Sequence, residues 1–195
     1  MEKINEKRCG WCKSDPIYQK YHDEEWGKEV TYDRKMFEFL VLESAQAGLS
    51  WITILKKRDA YRKAFADYDA VKVAKMTEHD VELLMQDSGI IRNRRKIEAT
   101  ISNAKHFLEV QNEFGSFCEY LRTFLPEKKP IINHWKTLSE IPASTSLSDA
   151  ISKDMKKRGF KFFGTIICYS HLQAVGYVND HLDECTYKFC SPSYR

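Results

Sequence analysis

The stretch LMQDSGIIRNRRKI, residues 84–97, contains the end of one helix, a tight turn and the start of another. The first helix is expected to end near Asp87, and Gly89 permits the positive φ that a tight turn often uses. Asn93 is a favoured N-cap residue because its side chain accepts hydrogen bonds from free backbone N–H groups. The pattern therefore predicts two helices joined by a hairpin turn over about residues 78–107.

Helix caps and helix-ending glycines divide the rest of the chain into further helices. No stretch shows the sustained two-residue alternation that is typical of strands, so the fold class is predicted to be all-α. Residues 126–145 contain three prolines and a Ser/Thr cluster, and they are predicted to form a long surface connection between two helical lobes. The predicted helices are Asp15 to Gly27, Asp33 to about Gln46, one from Ser50, one from Asp69, one from Thr77 with Asp80, Asn93 to about Val110, Leu147 to Arg158, and Thr165 to Val175.

The composition indicates one folded domain over residues 1–195, with 43% hydrophobic residues and a net charge of only +3. No apolar run approaches the roughly 18 residues that a membrane span needs. The start, MEKINEKRCGW, lacks the apolar segment of a secretory signal, so a cytoplasmic location is expected. No heptad pattern calls for a partner helix, and we therefore expect a monomer.

The predicted helix 33–46 carries one acidic residue on its apolar side. Spaced at 100° per residue, Glu43 falls on the same stripe as Met36 and Leu40. A buried carboxylate without a partner is costly, so it either finds donors or shifts its pKa. Glu43 is thus either a structural carboxylate, which caps a helix or pairs with a buried arginine, or a pocket carboxylate that meets a cationic or donor-rich ligand. The polar side of this helix is predicted to hold Arg34, Lys35 and Glu38.

The segment QAGLSW, residues 46–51, predicts a tight link that brings Trp51 close to Glu43, since Gly48 ends one helix and Ser50 caps the next. Tryptophan and tyrosine have polar groups that a dry core must satisfy. Several such residues near a misplaced carboxylate therefore favour a pocket for a planar base over an ordinary core. They are Trp11, Tyr18, Tyr21, Trp26 and Trp51.

Cations are concentrated where the helix after Asn93 is predicted to begin. A helix start favours acidic residues, so four cations there indicate either a solvated basic face or an anionic partner such as a DNA phosphate. The four are Arg92, Arg94, Arg95 and Lys96. Two further basic clusters comprise Lys153, Lys156, Lys157, Arg158 and Lys161, and Lys56, Lys57 and Arg58.

Cysteine and histidine residues near the two ends of the chain have the chemistry of a tetrahedral zinc site. Cys9 and His22 lie near the start, and His181 and Cys185 lie near the end. Two thiolates and two imidazoles fill all four positions, so zinc held by them would join the two ends and would not activate water. Cys12 forms a C-x-x-C pair with Cys9 and is an alternative thiolate, although a redox motif would require a βαβ context that is missing here.

Together these segments resemble the DNA-3-methyladenine glycosylase I family of the helix-hairpin-helix superfamily. The resemblance covers well over half of the chain, in order. The matching stretches are RCGW (8–11), DP-x-Y-x-x-YHDEEWG (15–27), LES-x-QAGLSWITILKKR (42–58), DSGIIRNRRKIEA (87–99), TLSEIPASTSLSDAISKDMKKRGFKFFGTIICYS (137–170) and NDH-x-x-x-C (179–185).

The resemblance implies a base-excision repair enzyme that flips 3-methyladenine out of double-stranded alkylated DNA and hydrolyses its N-glycosidic bond without cleaving the strand. It implies that Glu43 and Tyr21 read the edge of the base, that Trp51 stacks on it and that Trp11 lies nearby. It implies that the hairpin from Gly89 to Lys96 binds phosphate and that Leu49 enters the gap left by the base. It also implies structural zinc on Cys9, His22, His181 and Cys185.

Two other functions are compatible with parts of this pattern. A zinc hydrolase would need an open coordination position, which four protein ligands would close. A module that binds alkylated DNA without excising the base is a second alternative, and release of free 3-methyladenine would distinguish the two. His171 lies in a stretch that is usually more apolar in the family, and no function is assigned to it.

Overall fold

The computed structural model describes residues 6–190, and the chain is mostly helical over this range. Two short strands and four 3₁₀ turns accompany the helices. The helices are α1 (Pro16–Glu24), α2 (Asp33–Gln46), α3 (Trp51–Ala64), α4 (Ala70–Val73), α5 (Glu78–Gln86), α6 (Arg94–Phe114), α7 (Phe117–Arg122), α8 (Ser146–Lys157) and α9 (Thr165–Ala174), and the strands are β1 (Ile131–Ile132) and β2 (Val178–Asn179).

Side-chain caps confirm several of the predicted helix starts. The Asp15 carboxylate accepts a hydrogen bond from the Ile17 N–H ahead of α1. Asn93 accepts from the Lys96 N–H at the start of α6. These bonds satisfy backbone donors that a helix leaves free in its first turn.

Asp33 is a different case: α2 begins at Asp33 as predicted, but the expectation that the Asp33 side chain caps this helix is wrong. The α2 N-cap is Tyr32, and the Asp33 carboxylate accepts from the backbone N–H groups of Phe117 and Cys118 at 2.8 and 3.1 Å. Asp33 therefore satisfies free backbone N–H groups in the first turn of α7, a short helix that the sequence pattern did not predict. The two helices lie far apart in sequence, so local spacing gave no sign of this contact.

The turn between α5 and α6 also differs from the prediction at one residue. The φ of Gly89 is not positive. A Cβ atom at this position would lie 2.8 Å from the Ala60 Cβ and 2.9 Å from the Asp87 Oδ1. Glycine is therefore required because α3 packs directly against the turn, and not because of the local backbone conformation.

The connection over residues 126–145 contains a strand that an all-α assignment omits. Ile131 pairs with Val178 and Ile132 with Asn179, which makes β1 and β2 a short parallel pair. The connection is therefore attached to the segment that follows α9. A pairing of two residues per strand produces no alternating pattern that could be detected in the sequence.

Helix α2 lies at the centre of the fold and packs against α3, α6, α7 and α9. Its residues from Met36 to Ala45 are all buried. Apolar side chains from both halves of the chain form one contiguous core. The predicted division into two lobes stays a prediction. Within residues 6–190, no helix combines the length and the apolarity that crossing a bilayer would require.

Candidate base-binding pocket and metal centre

A cavity of about 330 Å³ lies where α1, α2, α3 and α9 meet. All of the side chains predicted to form a base pocket line it together, which confirms that the chain brings these residues to one place. They are Trp11, Tyr18, Tyr21, Trp26, Glu43 and Trp51. A volume of this size is at the lower end of typical small-ligand sites and suits one flat heterocycle.

Glu43 is the charged residue of this cavity. Its side chain is 2% exposed, and its Oε2 atom has no hydrogen-bond partner among the described residues. Burial alone raises the pKa of Glu43 to about 8, because no neighbouring cation stabilises the carboxylate. The structural alternative, a carboxylate neutralised by a buried arginine, is therefore wrong for Glu43. The site presents a carboxyl group that a cationic or donating ligand would satisfy.

The aromatic residues form two walls of the cavity. Trp11 contacts both Tyr18 and Trp26 edge-on, with ring centroids 4.9 Å apart in each pair. Tyr21 lies 5.5 Å from Trp51, on the side nearer to α3. The indole Nε1 groups of Trp11 and Trp51 have no partner among residues 6–190. The side chains that line the cavity thus carry two buried donors and one buried carboxyl group without partners, beside several aromatic rings.

Five residues of the cavity were not predicted from the sequence. Leu138 and Ile141 come from the connection before α8, and their place on the wall depends on the β1–β2 pairing that fixes this connection. Ser170 and Gln173 lie one turn apart on α9, a helix that has no clear polar face in the sequence. The unpredicted residues are Gln46, Leu138, Ile141, Ser170 and Gln173.

The predicted metal-binding residues form one buried cluster. The ligand atoms of Cys9, His22, His181 and Cys185 all lie within 4.8 Å of one another. The Cys185 Sγ is 3.5 Å from the His22 Nε2 and 3.3 Å from the His181 Nδ1. Two ligands of one tetrahedral zinc ion lie roughly 3.5–3.8 Å apart, so the donor set fits zinc.

The remaining nitrogen of each histidine in the cluster has a protein partner. The His22 Nδ1 lies 2.8 Å from the Asp23 Oδ1, and the His181 Nε2 lies 3.1 Å from the Trp26 carbonyl oxygen. Metal-binding histidines characteristically direct their second N–H to a carboxylate or a backbone carbonyl in this way. Cys12 is outside the cluster, and its thiol donates to the Cys9 carbonyl oxygen.

This Cys/His cluster packs directly against the aromatic residues of the cavity. His22 belongs to α1 together with Tyr18 and Tyr21, and its ring contacts Trp11 at 5.3 Å between centroids. The Trp26 ring lies 4.5 Å from the His181 ring. The cluster therefore holds one wall of the cavity in place from behind, whereas its ligand atoms do not line the cavity.

The four cations predicted at the start of α6 have different surroundings. Arg94 forms ion pairs with Glu78 and Glu82. Lys96 donates to the carbonyl oxygens of Ala45 and Ala47 at 2.8 and 2.6 Å, so it joins the hairpin to the end of α2. Of these four cations, Arg92 and Arg95 are exposed and have no ion pair among the described residues.

Leu49 lies in the loop between α2 and α3, next to the mouth of the cavity. Its side chain is 38% exposed, although it is a large apolar residue. Gly48 has a φ of +82°, which confirms the predicted break after α2. The side chain of Gln46 donates to the Leu49 carbonyl oxygen and holds the loop closed.

Comparison with known proteins agrees with this geometry. The sequence pattern of the Methyladenine glycosylase family matches residues 11–188. The chain is 54% identical over 179 residues to the DNA-3-methyladenine glycosylase 1 of Escherichia coli (strain K12), a similarity that covers 92% of this chain and 95% of that protein.

The chain belongs to the methyladenine glycosylase family.

Solved structures of methyladenine glycosylases have the same fold as this chain. A crystal structure of a 3-methyladenine DNA glycosylase I is 50% identical, has a TM-score of 0.90 and covers 95% of this chain and 100% of its own. The Staphylococcus aureus enzyme, whose structure concerns the recognition of 3-methyladenine, is 38% identical with a TM-score of 0.90 and covers 93% of this chain and 96% of its own.

Proposed function

We propose that this chain is a monofunctional base-excision glycosylase. It flips 3-methyladenine out of double-stranded alkylated DNA and hydrolyses the N-glycosidic bond. One observation carries the proposal: Glu43 is buried without a neutralising partner in an aromatic cavity of about 330 Å³. Family membership supports the same activity, since the relatives are named for it.

The substrate explains why an unpartnered carboxyl group is useful. Adenine methylated at N3 in DNA is cationic, so it is already a good leaving group and needs little acid catalysis. A carboxylate in a site of low dielectric constant favours a cation over a neutral purine. Glu43 would therefore ionise as the cationic base enters, and it would supply discrimination between alkylated and normal adenine.

Stacking on the aromatic walls would offset the free energy needed to extract the base from the DNA duplex. Flipping a nucleotide costs a few kcal/mol, and stacking on an aromatic ring returns about 1–3 kcal/mol per base. Trp51 would provide one stacking surface, with Trp11 on the other side, while Tyr21 and Glu43 read the edge of the base. Tyr18 and Trp26 would hold Trp11 in position through their ring contacts.

The interface with DNA would be formed by the α2–α3 loop and the α5–α6 hairpin, which we propose to be a helix-hairpin-helix motif. Leu49 would fill the gap left by the flipped nucleotide. The backbone around Gly89, together with Arg92 and Arg95, would bind phosphates. Arg94 would contribute after exchanging a glutamate partner, and Lys96 would hold the hairpin against α2.

The absence of strand cleavage is proposed from the residues available after the hairpin. Other helix-hairpin-helix glycosylases carry a catalytic aspartate there, whereas the sequence from Lys96 to Tyr120 contains no aspartate. No lysine lines the cavity as a candidate amine nucleophile. Hydrolysis by water without a covalent intermediate is the reaction compatible with these residues.

We also propose that the four-residue cluster holds structural zinc. Cys9, His22, His181 and Cys185 would occupy all coordination positions, and the ion would supply a fixed cross-link between the two ends of the chain. Metal analysis of purified protein should find one zinc per chain. Chelation should loosen residues 9–22 and 181–185 before the rest unfolds, which hydrogen exchange would detect. A protein that is fully folded and free of metal would contradict this proposal.

The decisive test of the proposed function is an excision assay. Purified protein is incubated with methylated duplex DNA, and released bases are separated by chromatography. Free 3-methyladenine should accumulate while the DNA strands stay intact until alkali is added. Binding to methylated DNA without base release would instead indicate a damage-binding module.

A further inference from the structure

A second cavity, of about 570 Å³, lies next to the proposed hairpin and has no role in base binding. We propose that it is a docking groove for the sugar–phosphate backbone of the substrate duplex, which shares Arg95 with the hairpin and extends the DNA contact beyond it to α8 and the loop before α9. This inference rests on the proposed function. The cavity lies between α6, α8 and the loop before α9, and it is lined by Arg95, Glu98, Ala99, Ser152, Lys156, Phe160, Lys161, Phe162, Phe163 and Gly164.

The first argument concerns which cations are available to bind an anion. Half of the twelve cations of the three basic clusters are already engaged: Arg158, for example, pairs with Asp154 and Glu113, and Lys57 donates to the Ser88 carbonyl oxygen. Three exposed cations with no ion pair within residues 6–190 lie together on this one cavity. They are Arg95, Lys156 and Lys161.

The cavity also has one carboxylate, and it does not cancel these charges. Glu98 lies 3.7 Å from the Arg94 guanidinium, which is outside the cavity lining. Three cations against one partly engaged carboxylate leave a surface that attracts an anion. Arg95 lies in the first turn of α6, so the cavity continues directly from the hairpin that is proposed to bind DNA.

The second argument concerns the shape of the wall. Phe162 has a φ of +54°, a left-handed conformation that costs free energy for a residue with a side chain. Hydrogen bonds on both sides of Phe162 stabilise this conformation. The Asn103 side-chain amide donates to the Lys161 carbonyl oxygen and accepts from the Lys161 N–H, at 2.9 and 2.8 Å. The Ser152 hydroxyl donates to the Phe163 carbonyl oxygen at 2.9 Å.

These hydrogen bonds fix residues 161–163 in the wall of the cavity, on both sides of Phe162. The result is a fixed apolar wall with cations at its edge. A deoxyribose has an apolar face and is flanked by phosphates, so a DNA backbone matches both properties at once. A free phosphate would use the cations alone, and an apolar ligand would use the phenylalanines alone.

The test compares two double variants that remove the same charge. Lys156→Gln with Lys161→Gln changes the cavity, and Lys72→Gln with Lys129→Gln changes two exposed lysines elsewhere. Affinity for a duplex carrying an abasic-site analogue is measured from 50 to 300 mM salt. Each lost phosphate contact lowers the slope of log K against log salt by about 0.9, so the cavity variant should lose about 1.8.

At 100 mM salt, the cavity variant should also bind the duplex at least about tenfold more weakly than the control variant. Its excision rate should recover when the enzyme is raised above the new Kd, since the defect lies in binding. Equal salt slopes for the two double variants would overturn the proposal that this groove binds the DNA backbone. Wild-type protein that releases no 3-methyladenine would instead overturn the proposed function, so the two failures are distinguishable.

The apolar wall has a separate test. Phe162→Gly removes the ring and relieves the left-handed conformation, because glycine adopts positive φ freely. The variant should bind the duplex several-fold more weakly with an unchanged salt slope. The hydrogen bonds of Asn103 and Ser152 should still hold the loop in place. Wild-type affinity in this variant would remove the ring from the interface.

Discussion

Two glutamates of α2 are equally buried and have opposite surroundings. Glu38 is 3% exposed and Glu43 is 2% exposed. The Glu38 carboxylate accepts from the Arg58 Nε at 2.7 Å, and it lies 3.1 Å from the Lys35 Nζ. Glu43 has no cation nearby, and burial raises its pKa to about 8. Burial alone therefore does not tell whether a carboxylate is structural or available to a ligand.

The difference follows from the position of each residue around the helix. Five residues along α2 correspond to a rotation of about 140°, so Glu38 and Glu43 face different neighbours. Glu38 faces α3, and it belongs to an ion network that also includes Glu25, after α1. Burial would raise the pKa of Glu25, but Arg58 and Lys35 bring it down to about 2. Glu38 thus lies on the predicted polar side of α2, but at this residue the polar side is buried against Arg58.

The comparison predicts a large loss of stability when the network is broken. Arg58→Met should lower the free energy of unfolding by about 3–5 kcal/mol, because the buried Glu38 and the half-buried Glu25 would lose their main partner. Urea unfolding measures this. Arg34→Met is the matched control, since Arg34 forms an exposed pair with Asp67 and should cost 1 kcal/mol or less. Similar losses in the two variants would contradict the contrast.

The pH dependence of stability should reveal Glu43 directly. Its pKa is about 8 when folded and about 4.5 when unfolded, so the folded state binds the proton more tightly. Stability is fully present below pH 4.5 and is lost as pH rises towards 8, by about 3 kcal/mol at pH 7. Glu43→Gln should remove this decline. Parallel pH profiles for wild type and variant would show that Glu43 ionises freely.

The same variant should affect excision more than folding. Glu43→Gln keeps the shape of the side chain and removes its charge, so kcat/KM for 3-methyladenine should fall about 10–100-fold, the value of one charged hydrogen bond. Stability at pH 7 should be equal to or higher than that of wild type. Wild-type kinetics on methylated DNA would remove Glu43 from base discrimination.

His171 extends the comparison to a buried basic side chain. Its substitution should have the smallest effect of these changes. Its two ring nitrogens have no partner among the described residues, and burial lowers its pKa to about 3. His171→Leu should therefore raise stability at pH 7 by about 1–2 kcal/mol, with a larger gain as pH falls from 6.5 towards 3. A destabilised variant would mean that the imidazole has a structural partner.

Local patterns were sufficient to identify much of this site. Helix periodicity placed Glu43 on an apolar stripe, and caps identified the starts of α1 and α6 within one residue, although their ends differ by three and four residues. The density of polar aromatics before residue 51 indicated a pocket, and all of those residues line one cavity. The predicted metal ligands form one buried cluster. Each of these inferences depends on residue type and short-range spacing.

The sequence by itself determined most of the helices, the misplaced carboxylate and the chemistry of the ligands, because backbone propensity and side-chain period act over a few residues. Only the tertiary structure decided which charges are neutralised. It paired Glu38 and left Glu43 unpaired, engaged Arg94 and left Arg95 exposed, and placed Asp33 on α7. These outcomes depend on contacts between residues far apart in the chain, and no local pattern encodes which distant residue makes the contact.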